Sequence, residues 1–160
     1  MTNLYITLAV SCAVVCSATA GHTADLASEA RVQITQCLSG KVNPDDAERC
    51  IDHFTAPCAA GSQELAPMQA IARQEACLLA EAQIWQRLRD RAVKGWRDDT
   101  TERQAAVIEN AAKESERFAQ AKCAVFEDTA LYGVTGRTLG AECYRDEMAR
   151  IAIFLGYALN

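Results

Sequence analysis

The sequence predicts an all-α protein, a disulfide-stapled bundle of three main helices with an N-terminal helical extension. Three observations carry this. Apolar residues recur at steps of three and four over long stretches, and no stretch shows sustained period-two alternation. Alanine is abundant, which favours helix and lets helices approach closely. Eight cysteines are present, and six of them (Cys37, Cys50, Cys58, Cys77, Cys123 and Cys143) lie beyond an apolar leader. An even number behind such a leader reads as a disulfide framework in an oxidising compartment.

The leader is residues 1–20, which hold no Asp, Glu, Lys or Arg and end in Ala18-Thr19-Ala20. Those small residues fit the cleavage pattern of a secretory signal peptide, although the usual positive charge near the start is missing. The apolar run is short for a membrane anchor. Val15 is bulky for the position before a lipidated Cys16, and Cys12 sits too early. Cleavage would begin the chain at Gly21 and leave about 140 residues, enough for one domain. No second apolar run spans a bilayer, so no membrane insertion is expected after cleavage. The formal net charge of -5 lies wholly beyond the leader. That balance argues against nucleic acid or an anionic membrane as the main partner and suits a basic protein.

The elements follow in order. Leu26, Ala30, Val32, Ile34, Cys37 and Leu38 mark a first helix from about Ala24 to Ser39, stopped by Gly40. Asn43 is a good N-cap, Pro44 suits the first helical position, and Asp45 and Asp46 favour the positive end of the dipole. This second helix is short and ends before Pro57, and residues 57–67 read as a loop. A long helix then runs to about Trp96 on a stripe of Cys77, Glu81, Ile84, Trp85, Leu88 and Ala92, with Glu81 its one charged member. Its polar face carries Arg73, Gln74, Gln83, Arg87 and Arg91. Asp99 and Glu102 suggest a capping box for the next helix. That helix reaches about Asp128, with Ile108, Ala111, Ala112, Ser115, Phe118, Ala121, Lys122, Val125 and Phe126 as its stripe. A glycine-punctuated loop with Gly133, Gly136 and Gly140 follows, then a last helix from about Leu139 to Leu159 with Tyr144, Met148, Ile151, Ala152 and Leu155 inward.

Six cysteines allow 15 pairings, and the residues alone do not choose among them. The simplest joins neighbours: Cys37 with Cys50, Cys58 with Cys77, and Cys123 with Cys143. Each would close a short loop and contribute about 3 kcal/mol in the chain-entropy model. The last pair would pin two helices where the glycine-rich loop reverses the chain, and a loop held on a rigid scaffold is a common place for function.

Catalytic chemistry finds little support. His22 and His53 are the two histidines. His22 sits at the predicted new N-terminus. Cys50, His53 and Cys58 lack a fourth zinc ligand, and their cysteines are better used in disulfides. No serine lies in a nucleophile-elbow pattern, no glycine-rich loop precedes a Lys-Ser/Thr pair, and the paired carboxylates read as solvated faces. No enzyme activity, cofactor or metal is therefore expected. Trp85 reads as core, Trp96 as a core cap or an interface residue, and Tyr132 as a partner contact or a residue packed under its loop.

The stretches CLLAEAQIWQRL (77–88), AAKESERFAQAKCAVFED (111–128) and GVTGRTLGAECYRDEMARIAIFL (133–155) stand in an order that resembles the lysozyme inhibitor LprI-like N-terminal domain family, small secreted helical modules of bacteria. CIDHFTAPC (50–58) is similar to an extension in some members. The chain departs from the family pattern at Glu81, Trp85, Ser115, Ala119 and Glu147, and keeps Arg150. The resemblance implies an extension over 21–57, an LprI-like helical domain over 58–160, a periplasmic or secreted location, and inhibition of lysozyme by protein–protein binding. The acidic residues of the loop region, Glu127, Asp128 and Glu142, with Tyr132, are the expected partner contacts for a lysozyme or another basic envelope protein. The alternative is a structural or stress-related envelope module with no enzyme target.

Overall fold

The computed structural model describes the backbone of residues 17–158 and the side chains of residues 25–157. Residues 1–16 of the predicted leader, with Cys12 and Cys16, and the side chain of His22 lie outside that description. Residues 17–20 form the first turn of a helix that continues through the predicted cleavage point.

Every regular element among the described residues is helical. The main elements are α1 (Ser17–Leu38), α4 (Pro67–Asp99), α5 (Glu102–Cys123) and α7 (Gly136–Ile153), with short helices α2 (Pro44–Glu48), α3 (Thr55–Ala60) and α6 (Thr129–Tyr132) between them. The longest, α4, is central and packs against α1, α3, α5 and α7. Trp85, only 1% exposed, shares one core with Ile34 of α1, Ala47, Cys50 and Phe54 of the extension, Ala119 of α5 and Met148 of α7. Residues before and after position 57 therefore contribute to the same core.

The three disulfides join neighbours: Cys37–Cys50, Cys58–Cys77 and Cys123–Cys143. The first ties the end of α1 to the segment after α2, the second ties α3 to α4, and the third ties α5 to α7. Such bonds persist in oxidising compartments, so the folded chain belongs outside a reducing cytoplasm. No helix of the described residues is long and apolar enough to cross a membrane.

Several boundaries differ from the sequence reading for physical reasons. Asn43 caps α2 as expected, accepting from the Asp46 amide at 2.9 Å. The helix ends at Glu48, and Asp52 takes φ 70°, which breaks any continuation. The segment read as a loop holds α3, where Pro57 occupies the first turn and so removes no required helical hydrogen bond. The capping box of α5 uses Thr101 and Gln104, not Asp99 and Glu102. The buried stripe of α5 is also rotated from the expected one. Ala105, Ala112, Ala119 and Cys123 face inward, whereas Phe118 and Val125 are exposed. Alanine lets α5 lie close to its neighbours, and the bulkier residues fall on the outer side.

The glycine-rich loop is a string of helical turns: a 3-10 turn (Ala124–Glu127), α6, a second 3-10 turn (Gly133–Thr135) and directly α7. Gly133 ends α6 at φ 58°, a conformation that suits glycine. Gly136 serves close approach: a Cβ there would meet the Phe126 carbonyl oxygen at 2.2 Å. Gly136→Ala should therefore destabilise the fold by about 1–3 kcal/mol, the usual range for forced overpacking. Gly140→Ala would meet the Cys123 carbonyl oxygen at 3.5 Å, an ordinary contact, and should be much milder. Urea unfolding of the two variants checks the contrast, and equal losses would contradict it.

Candidate functional site

The segment between Cys123 and α7 is the most irregular part of the bundle, and its shape follows from short-range chemistry. Asp128 accepts from the Ala130 amide at 2.9 Å and so caps α6. Thr135 donates to the Tyr132 carbonyl at 2.8 Å, and Thr138 to the Thr135 carbonyl at 2.8 Å. Tyr132 is half-buried and meets Phe126 edge-to-face with ring centroids 5.1 Å apart. The result is a firm knob. On its outside stand Val125, Leu131 (73% exposed) and Val134, beside the exposed carboxylates of Glu127 and Asp128.

The four expected contact residues are not equivalent here. Glu127 is exposed and has no ion-pair partner among the described residues. Asp128 combines an exposed carboxylate with its capping role. Tyr132 packs against Phe126 and supports the knob from beneath. Glu142 belongs to a different group, 3.9 Å from Arg145 on α7. A groove of about 460 Å³ runs at the foot of the knob, with Leu79, Gln120, Glu127, Arg137, Gly140 and Tyr144 among its walls. Arg137 crosses to Glu75 at 2.7 Å on its rim.

A second constellation, which periodicity flagged only as a charged residue on an apolar stripe, is the fully buried Glu81. Its carboxylate accepts from the Asp52 amide at 2.8 Å, from the Thr55 amide at 2.9 Å, from the Thr55 hydroxyl at 2.8 Å and from Trp85 Nε1 at 3.2 Å. The carboxylate thus caps α3 and anchors the extension to α4. Arg145, 4% exposed, donates to the Asp52 carboxylate at 2.6 Å and to Asp146 at 2.8 Å. Burial works against the Arg145 charge, but the Asp52 hydrogen bond and the fields of Asp146, Glu81 and Asp52 outweigh it, so the guanidinium stays charged. Asp52 is held from both sides in its left-handed conformation, one that aspartate tolerates better than most residues. Every group here has a partner, so the cluster reads as a strut between extension and bundle. Apart from His53, the zinc candidates are spent, because Cys50 and Cys58 are disulfide-bonded to Cys37 and Cys77.

Two further polar clusters tie the helices together. Gln86 donates to Tyr144 Oη at 2.6 Å, and Arg89 pairs with Glu116 at 2.6 Å, linking α4, α5 and α7. Burial, chiefly, raises the Tyr144 hydroxyl above its ordinary value. Glu147 of α7 takes Lys122 of α5 and Arg150, each at 2.9 Å. Burial alone would raise its carboxyl, but the bonds and charges of Lys122 and Arg150 prevail and hold it below the usual range. A carboxyl whose pKa falls on folding stabilises the fold above its unfolded value and loses that contribution as pH drops through the folded one. Stability should therefore fall below the ordinary glutamate value, and Glu147→Gln should flatten that acid limb. Identical pH profiles by thermal melting would contradict the assignment.

Trp96 closes the other end of the bundle, donating from Nε1 to the Leu155 carbonyl at 3.0 Å. No family model, no curated protein and no solved structure matches this chain.

Proposed function

We propose that the chain is a periplasmic or secreted binding protein of the LprI-like type, processed from a signal peptide, that acts by occlusion on a lysozyme or another basic envelope protein. The observation that supports this reading is the knob between Cys123 and Cys143: exposed Val125, Leu131 and Val134 flanked by Glu127 and Asp128. Apolar anchors flanked by two carboxylates suit a basic cleft. The anchors exclude water at the centre, and the acids speed encounter and reject anionic surfaces. The adjoining groove offers Glu127 to a basic side chain of the partner and Leu79 to its aliphatic stem.

The test is inhibition of purified lysozymes of several types at low and high salt. Binding should weaken as salt screens the carboxylates. Leu131→Asp should lower affinity at least tenfold and Glu127→Lys should slow association, both with unchanged melting. Failure to inhibit any muramidase would overturn the lysozyme reading, and failure to bind any basic envelope protein as well would overturn the whole.

A second reading, a structural or stress-related envelope module without an enzyme target, draws on a different surface. Val107, Phe118 and Phe154 are exposed outside the knob. Recovery of envelope components but no muramidase from a periplasmic pull-down would favour it.

A further inference from the structure

The chain is acidic overall, yet a groove that holds two arginines is lined without a carboxylate. It lies between α1 and α4, has a volume of about 570 Å³, and its described walls are Arg31, Val32, Thr35, Gln36, Ser39 and Arg91. Neither arginine forms an ion pair with any described residue, whereas Arg89, Arg97, Arg137, Arg145 and Arg150 all do. Arg87 and Lys94, about one helical turn to either side of Arg91, are likewise without ion-pair partners. Like charges at this spacing on one helix face repel, and the nearby Asp90 is taken by Arg89. Arg31, Arg87, Arg91 and Lys94 stand on neighbouring faces of α1 and α4 with no ion-pair partner among the described residues, so the groove attracts anions locally despite the net charge of -5, while Asp99 lies on the other side of Arg91.

We propose that the α1–α4 groove binds a phosphate-bearing ligand, with Arg31 and Arg91 as its two clamps. The planar guanidinium matches phosphate geometry bidentately, which favours phosphate over a lone halide. Thr35, Gln36 and Ser39 add neutral donors to the same groove, and Val32 gives an apolar wall for the group that carries the phosphate. Arg87 and Lys94 extend the positive field along α4 and suit a ligand with more than one phosphate. Two sources share this chemistry, a soluble chain of phosphates and an anionic phospholipid headgroup. The groove uses none of the knob residues, so it stands apart from the proposed lysozyme contact.

The experiment titrates the oxidised protein with sodium tripolyphosphate at low salt, followed by amide chemical shifts. A parallel arm co-sediments the protein with phosphatidylglycerol or phosphatidylcholine vesicles. Saturable shifts confined to residues 31–39 and 87–94 are expected, weakening as salt rises. Arg31→Gln and Arg91→Gln should each lower affinity about tenfold, the scale of one lost charge-assisted hydrogen bond. Lys113→Gln, on α5, should change nothing. Both arginine variants should keep the parental melting temperature, so a loss of binding reports the site and not the fold. Tripolyphosphate binding without sedimentation identifies a soluble phosphate as the ligand. Added sedimentation with phosphatidylglycerol alone, lost in the arginine variants, identifies the headgroup. Absence of saturable binding to both probes, or binding unchanged in the doubly substituted protein, would overturn the proposal.

Discussion

Glu81→Ala is expected to cost about 3–5 kcal/mol, the range for breaking a buried charged network from one side. Four donors lose their acceptor at once: the amides of Asp52 and Thr55, the Thr55 hydroxyl and Trp85 Nε1. The amides and the indole point at a site closed to water, so their desolvation is left uncompensated. Removal of the carboxylate also takes away one of the fields that holds the Arg145 charge. The melting temperature should fall by roughly 10 °C or more for a domain of this size. Glu81→Gln keeps the shape but turns an amide group toward donors, so it should fall between the parent and the alanine variant. A cycle with Arg145→Ala separates network from bulk: residues that share one network should couple by about 0.5–3 kcal/mol. Additive losses would mean that the two groups act independently and that the strut is not one unit.

Replacement of both Cys123 and Cys143 by serine is expected to cost about 3 kcal/mol, from the freedom restored to an unfolded loop of this size. The effect should also be local. The knob is joined to α5 at one end and α7 at the other, and the bond between them sets its footing. Amide exchange should therefore accelerate most in residues 124–135, while Trp85 and its neighbours on α4 keep their protection. If the knob is the binding element, affinity for its partner should drop further than global stability explains. Uniform acceleration along the chain would show that this bond braces the whole bundle instead.

Much of the architecture was legible from residue order. Long runs at steps of three and four gave α4, α5 and α7, Asn43 marked its helix start, and neighbouring cysteines are joined because helix ends that are close in sequence meet across short connections. The face of α5 was not legible. Alanine differs little from polar neighbours in hydrophobic contrast, so Phe118 and Val125 drew the expected stripe to the wrong side. The turns around Tyr132 and the helix containing Pro57 are each shorter than the window over which periodicity speaks. Glu81 stood out as a charge on an apolar stripe, but Asp52 and Thr55 lie 29 and 26 residues away, and only the folded chain brings them to it. Gly136 reads from sequence as one of the glycines that let the loop reverse, and instead makes room for the Phe126 carbonyl. Glu142 was grouped with Glu127 by composition, whereas its place on α7 sets it beside Arg145.

The fold rests on six sulfurs consumed as three cross-links between neighbouring segments. Proteolytic mapping of the unreduced protein, with thiol titration of the same sample, tests that directly. Cys37 should be recovered with Cys50, Cys58 with Cys77 and Cys123 with Cys143, with no free thiol among the six. Recovery of any crossed pair, or of reactive thiols at these positions in folded protein, would contradict it.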